Sequence, residues 1–275
     1  MKIKIFQVDS FTDVPFKGNP AGVCILEKPL SDELMQSIAA EMNVAETAFA
    51  VPVGDKDIKS QNRFNLRWFT PTVEVDLCGH ATLATAKVLF DEYNINSETI
   101  SFATKSGELS VSRNGDKLAM DFPADPTDHI EIPEEALKAY GIRESIEARK
   151  SRRMGMPLIE VASADIVRSV KPDFSRIMGL DGEFGSAIIT ARSDDANYDF
   201  ISRFFAPKFG IDEDPVTGAA HTVLGPYWAE KLGKTILKAY QASARGGEVE
   251  LNVRGDRIEL IGQAVIVLEG EMEIP

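Results

Sequence analysis

The chain opens on strict alternation. Lys2 and Lys4 are charged and Ile3 and Ile5 between them are apolar, which predicts a strand over 2–8 with one buried face. A second strand is predicted over 22–26, where the apolar run is continuous. The period then changes. Ser31 suits an N-cap, Asp32 and Glu33 fall in a first turn, and Leu34, Met35, Ile38 and Ala39 share one face, so a helix is predicted over 31–42. Strands follow over 47–53 and 65–69. Residues 80–93 are rich in Ala and Leu and poor in charge, which predicts a long helix buried on most sides. Strands are predicted over 99–111 and 117–122, and Pro123, Pro126 and Pro133 then mark a loop-rich crossing. Beyond it the pattern gives a short helix over 134–140, strands over 158–162 and 186–191, and a second apolar helix over 222–232 that stops at Gly233. Strands over 248–253, 257–261 and 263–268 close the chain.

The two halves echo each other. Arg67-Trp68-Phe69-Thr70-Pro71 is matched by Arg203-Phe204-Phe205-Ala206-Pro207. Each block ends a β-like run and leads through an acidic loop to a glycine that opens an apolar helix. These openings are Gly79-His80-Ala81-Thr82-Leu83 and Gly218-Ala219-Ala220-His221-Thr222. Further on, Gly107-Glu108-Leu109 corresponds to Gly247-Glu248-Val249, and Gly115-Asp116-Lys117-Leu118 to Gly255-Asp256-Arg257-Ile258, at one constant offset. Gly-Asp between alternating strands is a hairpin signal. The implied fold class is α+β: two pseudo-symmetric domains, each a curled, mostly antiparallel sheet around a central helix. The domains are expected over 1–122 and 123–263, with no low-complexity linker and a cleft between them.

Composition narrows the function. The chain has 275 residues, 44% of them apolar, which suffices for a sizeable core. Its longest apolar runs, such as 264–268, are too short to cross a bilayer, and the N-terminus shows no apolar leader or cleavage site. A cytoplasmic protein is expected, with no membrane partner. A formal net charge of −13 repels phosphate backbones, so no nucleic-acid partner is expected. It leaves room for a small anion, because helix N-termini pointing into a cleft make that cleft locally positive. Two cysteines and three histidines stand scattered along the chain, so neither a disulfide framework nor a metal site is expected. No GxGxxG or GxxxxGK[ST] pattern occurs, and no cofactor is expected.

Three constellations carry chemistry. Asn43-Val44-Ala45-Glu46-Thr47 joins a helix end to an apolar strand, and Glu46 there can project into a cleft. Partial burial would raise its pKa, as a general base or acid needs; a solvated or capping Glu is the bland alternative. The segment 70–80 offers Asp76, Cys78, Gly79 and His80. Gly79 and His80 open a helix whose free N–H groups suit a carboxylate, and the dipole there favours a neutral imidazole; a structural His is the bland alternative. The segment 212–218 opens the second helix, with Asp214 as a proton donor or a partner for His80, and Thr217 and Gly218 as hydroxyl and N–H donors. Capping by acids explains Asp214 equally well. Two such helix starts facing one cleft, with acid–base groups beside them, could move a proton without metal or cofactor. The turn Gly18-Asn19-Pro20-Ala21-Gly22 can line a pocket, which makes Asn19 a candidate contact. Cys24 reads as core, His129 as solvated and His221 as structural.

At these positions the chain resembles the PhzF-like family of phenazine biosynthesis. The resemblance rests on Asp9-Ser10-Phe11-Thr12, Gly18-Asn19-Pro20-Ala21-Gly22, Ala45-Glu46-Thr47, Arg67-Trp68-Phe69-Thr70-Pro71, Cys78-Gly79-His80-Ala81-Thr82, Met120-Asp121-Phe122-Pro123 and Glu213-Asp214-Pro215-Val216-Thr217-Gly218. It implies a diaminopimelate-epimerase-like fold whose C-terminal strand, here 264–275, returns to the first domain, with the site between the domains. It implies a cofactor-free proton shift similar to the isomerisation of trans-2,3-dihydro-3-hydroxyanthranilate, and a homodimer. Glu46 matches the family's catalytic Glu, His80 its cleft His and Asp214 its cleft Asp. Asn19, Gly79, Thr217, Gly218 and Ala219 become the expected contacts for a small carboxylate metabolite. Ala219 stands where the phenazine enzymes carry Ser. The opposed thiols of related epimerases have no counterpart at 215–218. The expected function is therefore an isomerase; the alternatives are a binding or scaffold protein on the same fold, or an epimerase or racemase.

Overall fold

A computed structural model describes residues 1–54 and 57–275. In chain order its elements begin β1 (Lys2–Ser10), β2 (Asn19–Ile25), α1 (Asp32–Met42), β3 (Glu46–Pro52), β4 (Arg63–Phe69) and β5 (Glu74–Val75). Next come α2 (Gly79–Asp91), β6 (Thr99–Thr104), β7 (Gly107–Asn114), β8 (Lys117–Pro123), β9 (Thr127–His129) and α3 (Glu134–Ala139). There follow β10 (Glu147–Ser151), β11 (Pro157–Glu160), α4 (Ala164–Ser169), α5 (Phe174–Gly179), β12 (Ala187–Arg192), β13 (Phe200–Ala206) and β14 (Ile211–Asp214). The chain ends with α6 (Gly218–Leu232), β15 (Ile236–Gln241), β16 (Gly247–Arg254), β17 (Arg257–Gly262) and β18 (Ala264–Glu273). It divides into two compact units, Met1–Asp121 with Ile261–Pro275, and Phe122–Leu260.

In the first unit β18, β1, β2, β3, β4, β6, β7 and β8 lie side by side. Only β2/β3 and β4/β6 are parallel, since each needs a helix to carry the chain back, α1 and α2 respectively. The two helices cover opposite faces. Met35, Ile38 and Ala39 of α1 pack with Ile5, Cys24 and Phe49. α2 is buried at nearly every position and contacts β1, β2, β3, β7 and β18. A sheet covered on both sides explains why β2 and β3 show continuous apolar runs. The β1–β2 turn depends on Gly18, at φ +63; a Cβ there would meet the Ser10 carbonyl oxygen at 2.1 Å.

The second unit repeats this order. β9, β10, β11, β12, β13, β15 and β16 lie side by side, with β11/β12 and β13/β15 parallel. Its outer face is covered by α3, α4 and α5, around Tyr140, Val167, Ile177 and Phe205. α6 lies on the other face, where Trp228 stacks on Phe200 at 5.6 Å. Gly225 lets this helix close on Ile258; a Cβ would lie 2.2 Å from its Cδ1. Pro226 cannot donate to the Thr222 carbonyl, and the Asp125 N–H takes that acceptor at 3.0 Å. The repeat extends to side chains. Arg67 grips Glu74 with two hydrogen bonds, and Arg203 grips Glu213 in the same way.

Several expectations need correction. The single strand over 99–111 is two strands, because Lys105 and Ser106 form a turn between paired Thr104 and Gly107: Gly107 sits at φ +106 and the Thr104 hydroxyl donates to its carbonyl at 2.7 Å. β9, β10, α4, α5 and β15 lie where no element was predicted. Among the described residues no helix is long and apolar enough to cross a membrane.

Candidate functional site

α1 ends at Asn43, which adopts a left-handed conformation (φ 49) and turns the chain sharply. Three residues later Glu46 begins β3, in register with Ala21 of β2. The Ser10 hydroxyl at the end of β1 donates to the His80 carbonyl at 2.8 Å, tying that strand to the first turn of α2. These connections bring Glu46, Cys78 and His80 together, all buried. His80 Nε2 lies 3.2 Å from Glu46 Oε2, and His80 Nδ1 lies 3.5 Å from Cys78 Sγ. The Nε2 contact is close enough for an ion pair but is bent away from hydrogen-bond geometry.

The charges differ from the sequence expectation. Burial disfavours the Glu46 carboxylate, but the positive charge of the His80 ring beside it, helped by the Cys78 thiol, more than offsets this, so its pKa falls below the ordinary 4.5. Burial likewise opposes the imidazolium, yet the charges of Cys78 and then Glu46, with the hydrogen bonding to both, carry the His80 pKa well above the ordinary 6.5. Burial and the Glu46 charge raise the pKa of the Cys78 thiol, so at neutral pH it stays protonated and the partner that holds the imidazolium is Glu46. At neutral pH the resting state is thus a carboxylate beside an imidazolium. The expected raised Glu46 pKa and neutral His80 are both corrected, because neighbouring opposite charge outweighs burial for each. By linkage, the lowered Glu46 pKa gives stability that is lost as pH falls through it. The raised His80 pKa gives stability that is lost as pH rises through it. Both contributions are complete only between 4.5 and 6.5.

The three side chains stood scattered in the sequence, yet their donor atoms lie within 4.8 Å of one another. Their arrangement suits a proton better than a metal ion. The imidazole turns Nδ1 to the thiol and Nε2 toward the carboxylate, so no single point lies in line with all three donors. Cys24, the second thiol, sits in the core with α1, its pKa pushed up to about 12 by burial. A pair of opposed reactive thiols is therefore not available to this chain.

In the second unit Asp214 ends β14 and Thr217 precedes α6. The Thr217 hydroxyl donates to Asp214 Oδ2 at 2.6 Å, and its N–H donates to Gln241 Oε1 at 2.9 Å. The Thr217 hydroxyl expected to face a ligand is thus spent on Asp214. His221 Nδ1 donates to the Thr217 carbonyl at 2.8 Å. Burial takes the His221 pKa down to about 4, partly offset by that bond, so the ring is neutral and structural. Gly218 is buried and Ala219 half-buried at the helix start, while in the first unit Asn19 is buried and Gly79 half-buried. Asp76 and His129 are exposed.

The two central helices share with α3 the lack of a side-chain N-cap. Ser31, Ser163 and Asp173 accept N–H bonds at the starts of α1, α4 and α5. No side chain caps α2 or α6. First-turn N–H groups of an uncapped helix call for another acceptor, and a carboxylate ligand fits.

The sequence reading missed Ser10 and Gln241. Gln241 had a signal: Leu237, Ala239 and Gln241 alternate onto the buried face of β15, and a polar residue at a core position needs internal partners.

A family model described as phenazine biosynthesis-like protein matches residues 8–270. An uncharacterized isomerase of Pseudomonas aeruginosa is 48% identical over 274 residues, covering 100% of both chains. The phenazine biosynthesis-like domain-containing protein 2 of Mus musculus is 42% identical and covers 99% of each. The crystal structure of a phenazine biosynthesis protein of the PhzF family from Enterococcus faecalis superposes with a TM-score of 0.92, at 42% identity, over 100% of both chains.

Proposed function

Since the chain belongs to the phenazine biosynthesis-like (PhzF) family, we propose that it is a cofactor-independent isomerase that moves a proton within a small carboxylate, with Glu46 as the base. The family and its relatives support an isomerase-type enzyme. The observation that carries the finer reading is the buried pairing of Glu46 with His80 at an uncapped helix start.

Glu46 is ionised at neutral pH and can accept a proton. In the first step a substrate C–H bond breaks, an O–H bond forms on Glu46, and the electron pair passes into the conjugated system of the substrate. Once Glu46 is neutral, the His80 imidazolium has lost its counter-charge and can stabilise the substrate anion. In the second step the Glu46 O–H returns its proton to a different carbon. The reaction is similar in type to isomerisation of trans-2,3-dihydro-3-hydroxyanthranilate. Asp214, oriented by Thr217, is assigned the second acid–base role. Asn19 and the helix starts at Gly79, Gly218 and Ala219 are assigned to binding the carboxylate. A homodimer in the cytoplasm completes the proposal.

The test is incubation in heavy water with a panel of small unsaturated carboxylates that includes this dihydroanthranilate. The expected result is an isomeric product with the hydrogen moved to another carbon in at least one compound, read by NMR, carrying deuterium to the extent that the Glu46 proton exchanges with solvent between the two steps. Absence of any rearranged product and of any carbon-bound deuterium across the panel counts against the isomerase reading and favours a binding protein.

A further inference from the structure

The second unit holds a cavity that none of the acid–base groups lines. Its volume is about 730 Å³, within the range of small-molecule sites. The loop 143–146, Ala162 beyond β11, and Ile166 and Ser169 of α4 form its walls. The loop is anchored at both ends. Gly141, at φ +72, turns the chain out of α3, and a Cβ there would meet the Lys171 carbonyl oxygen at 2.9 Å. Ile142 is buried in the core of this unit, and the Ile146 N–H donates to the Glu160 carbonyl at 2.8 Å. The fold itself therefore holds the backbone around the cavity.

The polar groups that line it are left open. Arg149, Arg152 and Arg168 of this unit each bind a carboxylate, of Glu147, Asp128 and Asp194. Among the described residues the side chains of Arg143 and Glu144 have neither an ion pair nor a hydrogen bond, and the half-buried Ser145 hydroxyl has no partner. Apolar surface is open beside them: Ile146 is 60% exposed and Ile166 is half-buried. Charge then selects the ligand. A simple anion drawn to Arg143 also meets the Glu144 carboxylate, and a simple cation drawn to Glu144 also meets the guanidinium. A hydrocarbon would bury three polar groups without partners. A zwitterion satisfies both charges, and an apolar substituent on it covers the two isoleucines. We propose that this cavity binds a free α-amino acid with an apolar side chain. Arg143 takes the carboxylate in a two-pronged grip, Ser145 adds a hydroxyl donor, Glu144 takes the ammonium, and Ile146 and Ile166 take the side chain. The cavity shares no residue with the acid–base groups, so its test is independent of the isomerase reading.

The test is a titration of the ¹⁵N-labelled protein with L-leucine, read as backbone amide shifts. Saturable shifts are expected at 143–146 and around Ala162 and Ser169. Isocaproate, which lacks the ammonium, and isoamylamine, which lacks the carboxylate, are each expected to bind about 10-fold more weakly, as loss of one charge-assisted contact implies. Arg143→Gln is expected to weaken leucine binding by about 10-fold and to erase its advantage over isoamylamine. Glu144→Gln is expected to erase its advantage over isocaproate. Both side chains are exposed and make no bond that the fold needs, so thermal unfolding of the variants is expected to match wild type. Absence of saturable shifts at these amides overturns the proposal, as does equal binding of the three compounds or undiminished leucine binding in R143Q.

Discussion

Replacing Glu46 with Gln is expected to lower turnover by roughly 1,000-fold, within the range for loss of a general base. KM is expected to change little, because Gln fills the same volume. The change also removes the counter-charge of His80, which leaves a buried imidazole at a helix start. That ring is expected to lose its proton, not to unfold the protein, since a buried group can neutralise at modest cost. Steady-state kinetics and thermal unfolding of E46Q check both parts. Turnover within a few-fold of wild type would remove Glu46 from the mechanism.

The largest stability loss is expected at Arg203, outside the acid–base groups. Its guanidinium binds Glu213 twice, donates to the Val170 carbonyl at 2.8 Å and lies over the Phe205 ring at 4.7 Å. The pair is mostly buried, with 13% and 20% of the side chains exposed. Arg203→Met strands a carboxylate and a carbonyl, and is expected to cost about 3 kcal/mol in urea unfolding. Lys cannot reproduce the two-pronged grip, so R203K is expected to be nearly as harmful. Replacing both partners with Met should recover much of the loss, since the penalty is the orphaned charge more than the missing pair. Arg67, its counterpart in the repeat, is 30% exposed and also meets Asp32 at 2.7 Å near solvent, so its loss is expected to cost about 1 kcal/mol. Equal costs at the two sites would refute this dependence on burial.

Much of the fold was legible because the repeat was legible. The Arg-x-Phe blocks, the apolar helices and the Gly-Asp hairpins recur in order, and each marks the same strand–helix–hairpin unit. The central helices could be read from their lack of charge, which leaves no face for water. The outer elements of the second unit were harder. α4 and α5 have only six residues each, too short for a helical period to emerge, although Ser163 and Asp173 carry the capping signal. The strand over 99–111 was read as continuous because apolar residues alternate on both sides of the polar stretch 104–108, where the turn at Lys105 and Ser106 lies.

At the site, residue types were visible and their couplings were not. Glu46 and His80 lie 34 positions apart, so nothing local shows that each sets the charge of the other. A sequence shows the helix start beneath His80 but not the carboxylate beside it, and that carboxylate reverses the expected protonation state. Thr217 offered a hydroxyl donor on paper, and Gln241, 24 positions later, donates to its oxygen and accepts its N–H.

The proposed proton transfer depends on the Glu46–His80 pair being charged at rest. The most direct measurement is a ¹⁵N NMR titration of the His80 ring in wild type and in E46Q. We expect both ring nitrogens to carry protons at pH 7 in wild type, with loss of the proton well above the ordinary 6.5, and a fall to or below that value in E46Q. A neutral wild-type imidazole at pH 7, or a titration unmoved by removing the Glu46 charge, would contradict it.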